Sequence, residues 1–191
     1  MTKNQILMRQ AKQMLAGNWG NVALATLIYM IIIGVVSCSY VGQLILIGPI
    51  SVGYVLFIMA VCDRRIVDFG NLFKGFDNFV QTLVAGLIYS IAVSIGMFFL
   101  VVPGIIISMG FGMTFFIMAE QPGISGVDAL KTSWNMMKGH KWDYFCLNLR
   151  FIGWGLLAIL TFGIGMLWLT PYVTTAGMNF YRDLRYNVNR G

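Results

Sequence analysis

The chain has 191 residues, of which 58% are hydrophobic and only 10% are charged. Soluble domains carry about 25% charged residues and disordered chains have low hydrophobicity, so this composition excludes both classes. The net charge of +6 and the mean hydropathy of +0.77 indicate an integral membrane protein whose basic residues meet anionic lipid headgroups rather than nucleic acid.

Six apolar runs follow one another along the chain, without charge except for Arg150 in the fifth. A spanning helix needs about 20 mostly apolar residues. The runs are residues 22–37, 43–61, 81–102, 104–119, 144–161 and 163–181. Breaks at 38–42, at Pro103-Gly104 and at 161–163 join them in pairs, since proline and glycine interrupt helices. The sequence predicts one all-α membrane domain over residues 1–191, with six transmembrane helices in three helical hairpins.

Basic residues fill the segments outside the runs and avoid the three predicted hairpin tips. Each of the four segments holds three of them: Lys3, Arg9 and Lys12; Arg64, Arg65 and Lys74; Lys131, Lys138 and Lys141; Arg182, Arg185 and Arg190. Because cytoplasmic loops are rich in lysine and arginine, both termini and both long loops are expected in the cytoplasm. The fourth run would be roughly 24 Å long as a helix, against a hydrocarbon core of about 30 Å, so a re-entrant hairpin stays open.

An amphipathic segment precedes each hairpin, at residues 2–15, 68–79 and 125–138. The first and third begin with capping boxes, Thr2 with Gln5 and Ser125 with Asp128. Such segments either lie in the membrane interface, with their apolar side chains in the acyl region, or pack against the transmembrane bundle. The unit of amphipathic helix and hairpin recurs about every 60 residues, which indicates an internal repeat.

Residues that could catalyse a reaction or bind a metal are sparse. The seven acidic residues lie in loops or at run boundaries, and Cys38, Cys62 and Cys146 form no ligand motif. His140 is the single histidine, and the sequence contains no phosphate-binding glycine loop or nucleophile motif. The sequence therefore predicts a protein that is not an enzyme and that uses no metal or cofactor.

The candidate functional residues surround the start of the fifth run. Asn148, Arg150 and the sequence His140-Lys141-Trp142 are expected to contact lipid headgroups, Arg150 by extending its guanidinium group to the interface. Alternatively, Arg150 marks a polar path, since charged residues inside membrane helices are rare and commonly functional. The other residues of such a path would be Thr170, Thr174, Thr175 and Asn179 in the sixth run.

An ordered set of short motifs covers nearly the whole chain. The motifs are Asn18-Trp19-Gly20, Leu72-Phe73-Lys74-Gly75-Phe76, Pro103-Gly104-Ile105-Ile106, Met137-Lys138-Gly139-His140-Lys141-Trp142, Phe151-Ile152-Gly153-Trp154, Gly163-Ile164-Gly165, Leu167-Trp168-Leu169-Thr170-Pro171-Tyr172 and Phe180-Tyr181. With them the chain resembles the bacterial membrane family catalogued as domain of unknown function 975, which is similar in layout to the membrane domain of some glycerophosphodiester phosphodiesterases. The resemblance implies a bacterial cytoplasmic membrane protein with the six-run layout, and it supplies no catalytic residue because the family has no established activity.

Two kinds of function agree with these features. The first is a non-enzymatic envelope module that binds membrane lipids, through anionic headgroups on the cytoplasmic side, or binds a partner membrane protein. The second is a small transporter or channel, acting alone or as a homo-oligomer, with a polar path near Arg150. A water-accessible path through the helices would favour the transporter, and a dry, packed core would favour the module.

Overall fold

The computed structural model describes residues 3–37, 40–63, 69–99, 101–161 and 163–188. Within these ranges the chain is helical, and they contain no strand. The α-helices are α1 (Lys3–Leu15), α2 (Trp19–Ser37), α3 (Tyr40–Cys62), α4 (Phe79–Phe99), α5 (Val101–Gly110), α6 (Thr114–Glu120), α7 (Gly126–Met136), α8 (Lys141–Leu160) and α9 (Met166–Val188). The all-α fold class is therefore confirmed for the described part of the chain.

Four helical segments are long and apolar enough to cross a membrane: Ile45–Cys62, Phe79–Met97, Pro103–Glu120 and Lys141–Leu160. A fifth is obtained if Gln5–Leu15 and Trp19–Gly34, which meet at an angle of 100°, are counted as one bent span. α9 is not among them, because its second half carries Asn179, Arg182, Asp183 and Arg185. These helices agree with a membrane protein, while the number of six crossings and the hairpin layout stay predictions.

Helices that follow one another along the chain pack together. α2 contacts α3, α4 contacts α5, and α8 contacts α9. The predicted turn at Cys38 and Ser39 lies outside the described residues, as do Arg64, Arg65, Asp68, Phe162 and Arg190. Pro103 lies in the first turn of α5 rather than at the break, where a proline is tolerated because the first amide groups of a helix have no helical partner.

The first and third amphipathic segments form α1 and α7, and both bury one side against the other helices. α1 buries Leu7, Ala11 and Leu15, and its main contacts are with α9. α7 buries Ala129 and Leu130 and packs on α4 and α6. Of the two arrangements open from the sequence, contact with the bundle is therefore present, and contact with a membrane interface stays a prediction.

The second amphipathic segment differs from the single helix expected at residues 68–79. Its described part contains two short 3-10 helices, Phe69–Leu72 and Lys74–Phe76, which pack along α3. Gly70 and Gly75 disfavour a continuous α-helix there. The packing is close, because a Cβ atom on Gly53 of α3 would lie 1.9 Å from the carbonyl oxygen of Leu72.

Ionic and polar contacts connect the ends of α3, α6 and α9. Arg182 Nη2 lies 2.6 Å from Oδ1 of Asp63, which follows α3. Glu120, the last residue of α6, pairs with Arg185 and accepts a hydrogen bond of 2.5 Å from the Tyr181 hydroxyl. The acidic ends of two helices are thereby joined to the basic end of α9.

Candidate functional site

The predicted headgroup residues at the start of α8 form a corner between α7 and α8. Lys141 Nζ lies 3.5 Å from the centroid of the Trp134 ring, which is a cation–π contact. His140 Nδ1 lies 3.7 Å from Oδ2 of Asp143. Trp142 is 72% exposed and stacks on Phe145 with the ring centroids 5.3 Å apart. This corner therefore presents aromatic and cationic groups to the surroundings.

Asn148 and Arg150 occupy different environments on α8. Asn148 Nδ2 donates to the backbone carbonyl oxygen of Tyr144 at 2.9 Å, and its side chain is half-buried. Arg150 is exposed. It lies four residues before Trp154, which places the two side chains on the same face of the helix.

The predicted polar path on α9 consists of residues in unlike surroundings. Thr174 donates to the carbonyl oxygen of Thr170 at 3.0 Å, so its hydroxyl is used within the helix. Thr175 is fully buried and accepts from the Cys62 thiol at 3.9 Å. Asn179 is 5% exposed, and its Nδ2 has no partner in the described part of the chain. Thr175 and Asn179 thus belong to the packed core, whereas Arg150 lies on the outside of α8.

A groove of about 420 Å³, here called groove A, lies between the corner of α1 and α2 and the pair α8 and α9. Its walls are mostly aromatic and aliphatic, with Trp19 from α2, Trp154 from α8 and Trp168 from α9. Lys12 of α1 supplies the charged group of the lining. Trp154 and Trp168 are 59% and 48% exposed, so the groove is open to the surroundings along α8 and α9.

The turn between α8 and α9 sets the positions of the groove residues. The Thr161 hydroxyl donates to the carbonyl oxygen of Ala158 at 2.8 Å and accepts from the Gly165 amide at 3.1 Å. Gly163 has a φ of +82°, which favours glycine, and a Cβ atom on Gly165 would lie 2.9 Å from Ala158. These constraints bring the start of α9 against the end of α8, with Trp154 and Trp168 on the same groove.

A second groove, groove B, repeats this composition elsewhere in the molecule. It has a volume of about 450 Å³ and lies between α7 and the pair α4 and α5. Ile88, Ile107 and Phe111 form apolar walls, and α7 contributes Lys131 and Trp134. Each groove therefore has an apolar lining that includes tryptophan, together with one lysine from an amphipathic helix, α1 or α7.

Sequence reasoning found some of these residues only indirectly. Trp19, Trp154 and Trp168 belong to the short motifs of the family resemblance, yet nothing in their spacing along the chain indicates that they meet. The sequence predicts Lys12 as a basic residue on the cytoplasmic side and does not indicate that it belongs to a groove. Among the described residues, no group of three or more His, Cys, Asp or Glu side chains is placed to hold a metal ion.

Comparison with known proteins gives one match. A family model described as "Protein of unknown function (DUF975)" matches residues 92–188, which include α5 to α9 and most of the residues of both grooves. No curated protein and no solved structure matches the chain.

Proposed function

Because the chain belongs to the DUF975 family, whose members are described as proteins of unknown function, we propose a function from its own residues. We propose that it is a non-enzymatic membrane module that binds an anionic phospholipid in groove A. The observation that carries this proposal is groove A itself, in which three tryptophan side chains form an apolar lining beside Lys12.

The chemistry of groove A suits the two parts of a phospholipid. Its apolar walls offer an acyl chain a surface as hydrophobic as the surrounding lipid, and tryptophan is enriched where membrane meets water. Lys12 supplies a cation for the phosphate group. Arg150, one helical turn from Trp154, supplies a second, since exposed arginine forms bidentate hydrogen bonds with phosphate.

The proposal includes the membrane arrangement predicted from the sequence. In this arrangement the six apolar runs form three hairpins in a bacterial cytoplasmic membrane, with both termini in the cytoplasm. The ends of α3, α6 and α9, joined by the ion pairs of Asp63 and Glu120, then lie on the cytoplasmic side. This orientation is supported by the basic residues of the four loop and terminal segments, and it directs both lysine-bearing amphipathic helices toward anionic headgroups.

We favour this module over the small transporter or channel. A polar path near Arg150 would require the α9 residues to line an accessible space together with α8. Thr175 and Asn179 instead pack among core side chains, and the described grooves A and B are mainly apolar. A partner membrane protein or a homo-oligomer stays compatible with the module, because the apolar outer faces of α4 and α8 are exposed.

The test measures how the full chain, reconstituted in nanodiscs of phosphatidylcholine, binds added phosphatidylglycerol. The double variant Lys12→Gln and Arg150→Gln should bind phosphatidylglycerol about tenfold more weakly, which corresponds to about 1.4 kcal/mol. The reason is the loss of charge-assisted hydrogen bonds to the phosphate group. Native mass spectrometry or a fluorescent phosphatidylglycerol gives the readout.

Lys138→Gln is the matched control, because Lys138 is an exposed cation outside the groove lining. It should change the affinity by less than twofold. Equal affinity of the double variant and the unchanged protein, or equal binding of phosphatidylcholine and phosphatidylglycerol, would contradict the proposal.

A further inference from the structure

A separate cavity of about 240 Å³ lies between α4, α5 and α8. It is walled by Tyr89 of α4, by Ser108 of α5 and by Tyr144 and Asn148 of α8, and the rest of its lining is Met109, Phe111, Gly112 and Phe115. Phe111 also lines groove B, so the two spaces share this one residue. We call this space the polar cavity, because hydroxyl and amide groups make up much of its lining.

The polar groups of this cavity are all uncharged. Its lining contains no lysine, arginine, histidine, aspartate or glutamate among the described residues. The helices that wall it belong to segments apolar enough to cross a membrane. A charged ligand entering such a space would lose hydration without gaining an opposite charge, which is unfavourable. The cavity therefore suits an uncharged ligand.

Several polar groups of the wall keep hydrogen-bonding capacity that the protein does not use. Ser108 donates to the carbonyl oxygen of Ile105 at 2.8 Å, which leaves its oxygen as an acceptor. Asn148 Nδ2 donates to the backbone carbonyl oxygen of Tyr144, and the Asn148 side chain also interacts with the Tyr144 side chain, which leaves Oδ1 with lone pairs that can accept further hydrogen bonds. The Tyr89 hydroxyl has no hydrogen-bond partner among the described residues, although its ring contacts Phe111 and Phe115.

Polar groups inside an apolar helix bundle normally have hydrogen-bond partners, because no bulk water is present to replace them. A hydroxyl that can donate together with two oxygens that can accept requires a ligand with both donors and acceptors. A group with several hydroxyls meets this requirement. The aromatic rings of Tyr89, Phe111 and Tyr144 would pack against its carbon–hydrogen faces, as in other aromatic-lined ligand sites.

We propose that the polar cavity binds the uncharged, multiply hydroxylated headgroup of a membrane lipid, such as the sugar of a glycosyl diacylglycerol. The cavity is smaller than the pockets of about 300–1,000 Å³ that hold whole drug-sized ligands, so it holds the headgroup while the acyl chains remain among the helices and lipid. This site is distinct from groove A in its residues and in the charge of its ligand.

The experiment uses the full chain in phosphatidylcholine nanodiscs and three probes: monoglucosyl diacylglycerol, phosphatidylglycerol and free glucose. Native mass spectrometry measures binding of the two lipids, and glucose is added as a competitor. Tyr89→Phe and Asn148→Leu should each weaken binding of the glucosyl lipid about threefold to tenfold, since each removes one or more hydrogen bonds. Both should leave binding of phosphatidylglycerol unchanged.

Ser90→Ala is the control, because Ser90 follows Tyr89 on α4 and does not line the cavity. It should bind the glucosyl lipid like the unchanged protein. If millimolar glucose competes, the cavity recognises the hydroxylated group itself, whether it belongs to a free sugar or to a lipid. If glucose does not compete, a lipid is the source of the bound headgroup. The proposal is overturned if Tyr89→Phe and Asn148→Leu both bind the glucosyl lipid with unchanged affinity, or if the unchanged protein binds it no better than phosphatidylcholine.

Discussion

At the scale of single residues, Ser133 shows how a polar side chain permits a break in an apolar helix. Residues 111–113 form a turn between α5 and α6, inside the segment predicted as one apolar run. Ser133 of α7 donates to the carbonyl oxygen of Gly110 at 2.9 Å and accepts from the Met113 amide at 3.2 Å. It thereby replaces hydrogen bonds that the interrupted helix lacks.

The substitution Ser133→Ala should therefore destabilise the fold. Ser133 is fully buried, so its removal leaves a buried amide and a buried carbonyl without this partner, which costs about 1–3 kcal/mol. Thermal unfolding in detergent micelles measures the change as a lower Tm. The neighbouring Thr132→Ala is the control, because Thr132 is exposed, and a similar Tm for both variants would refute the role assigned to Ser133.

At the scale of elements, sequence reasoning succeeded where composition alone decides and failed where tertiary contacts decide. Long apolar runs predicted α3, α4 and α8 to within a few residues, since few other structures satisfy the backbone of such runs in a membrane. The turn at residues 111–113 depends on Ser133, twenty residues away, and was not predicted. Groove A was missed for the same reason, because Lys12 and Trp154 come together only through the packing of α1 near α8.

The junction of α6 and α9 gives a prediction at this scale. Tyr181 is 1% exposed, and its hydroxyl donates to the Glu120 carboxylate at 2.5 Å. Tyr181→Phe keeps the ring packing against Phe116 but removes a hydrogen bond to a charged group, which should lower the free energy of unfolding by about 1.5–3 kcal/mol.

Unfolding of the purified chain in detergent provides the measurement for the Tyr181 variant. Tyr172→Phe serves as the comparison, because its ring packs on Phe151 and its hydroxyl has no hydrogen bond among the described residues. In a Glu120→Gln background the effect of Tyr181→Phe should shrink, since the acceptor no longer carries a charge. An effect of Tyr181→Phe that stays the same in both backgrounds would show that the bond to Glu120 is not its cause.

At the scale of the whole molecule, the distribution of charge predicts an orientation in the membrane, while groove A brings Lys12 of α1 near Thr161 and Gly165 of the turn between α8 and α9. The basic residues described in α1, α7 and α9 lie in the segments that the sequence places in the cytoplasm. The ion pairs at Asp63 and Glu120 bring the ends of three helices to one end of the molecule. If the turn between α8 and α9 lies on the side of the membrane opposite to these helix ends, the orientation predicted from the sequence follows.

Accessibility of single cysteines tests that arrangement. In a chain whose native cysteines are replaced by alanine, Ile164→Cys places a thiol in the turn between α8 and α9, where Ile164 is 60% exposed. Lys138→Cys places one in the exposed turn between α7 and α8. A membrane-impermeant maleimide added to intact bacterial spheroplasts should label the first variant, and it should label the second only after permeabilisation. A spanning hairpin exposes its tip to water, and a re-entrant hairpin does not. If Ile164→Cys is protected from the maleimide before and after permeabilisation but is labelled after unfolding in detergent, this hairpin does not cross the membrane.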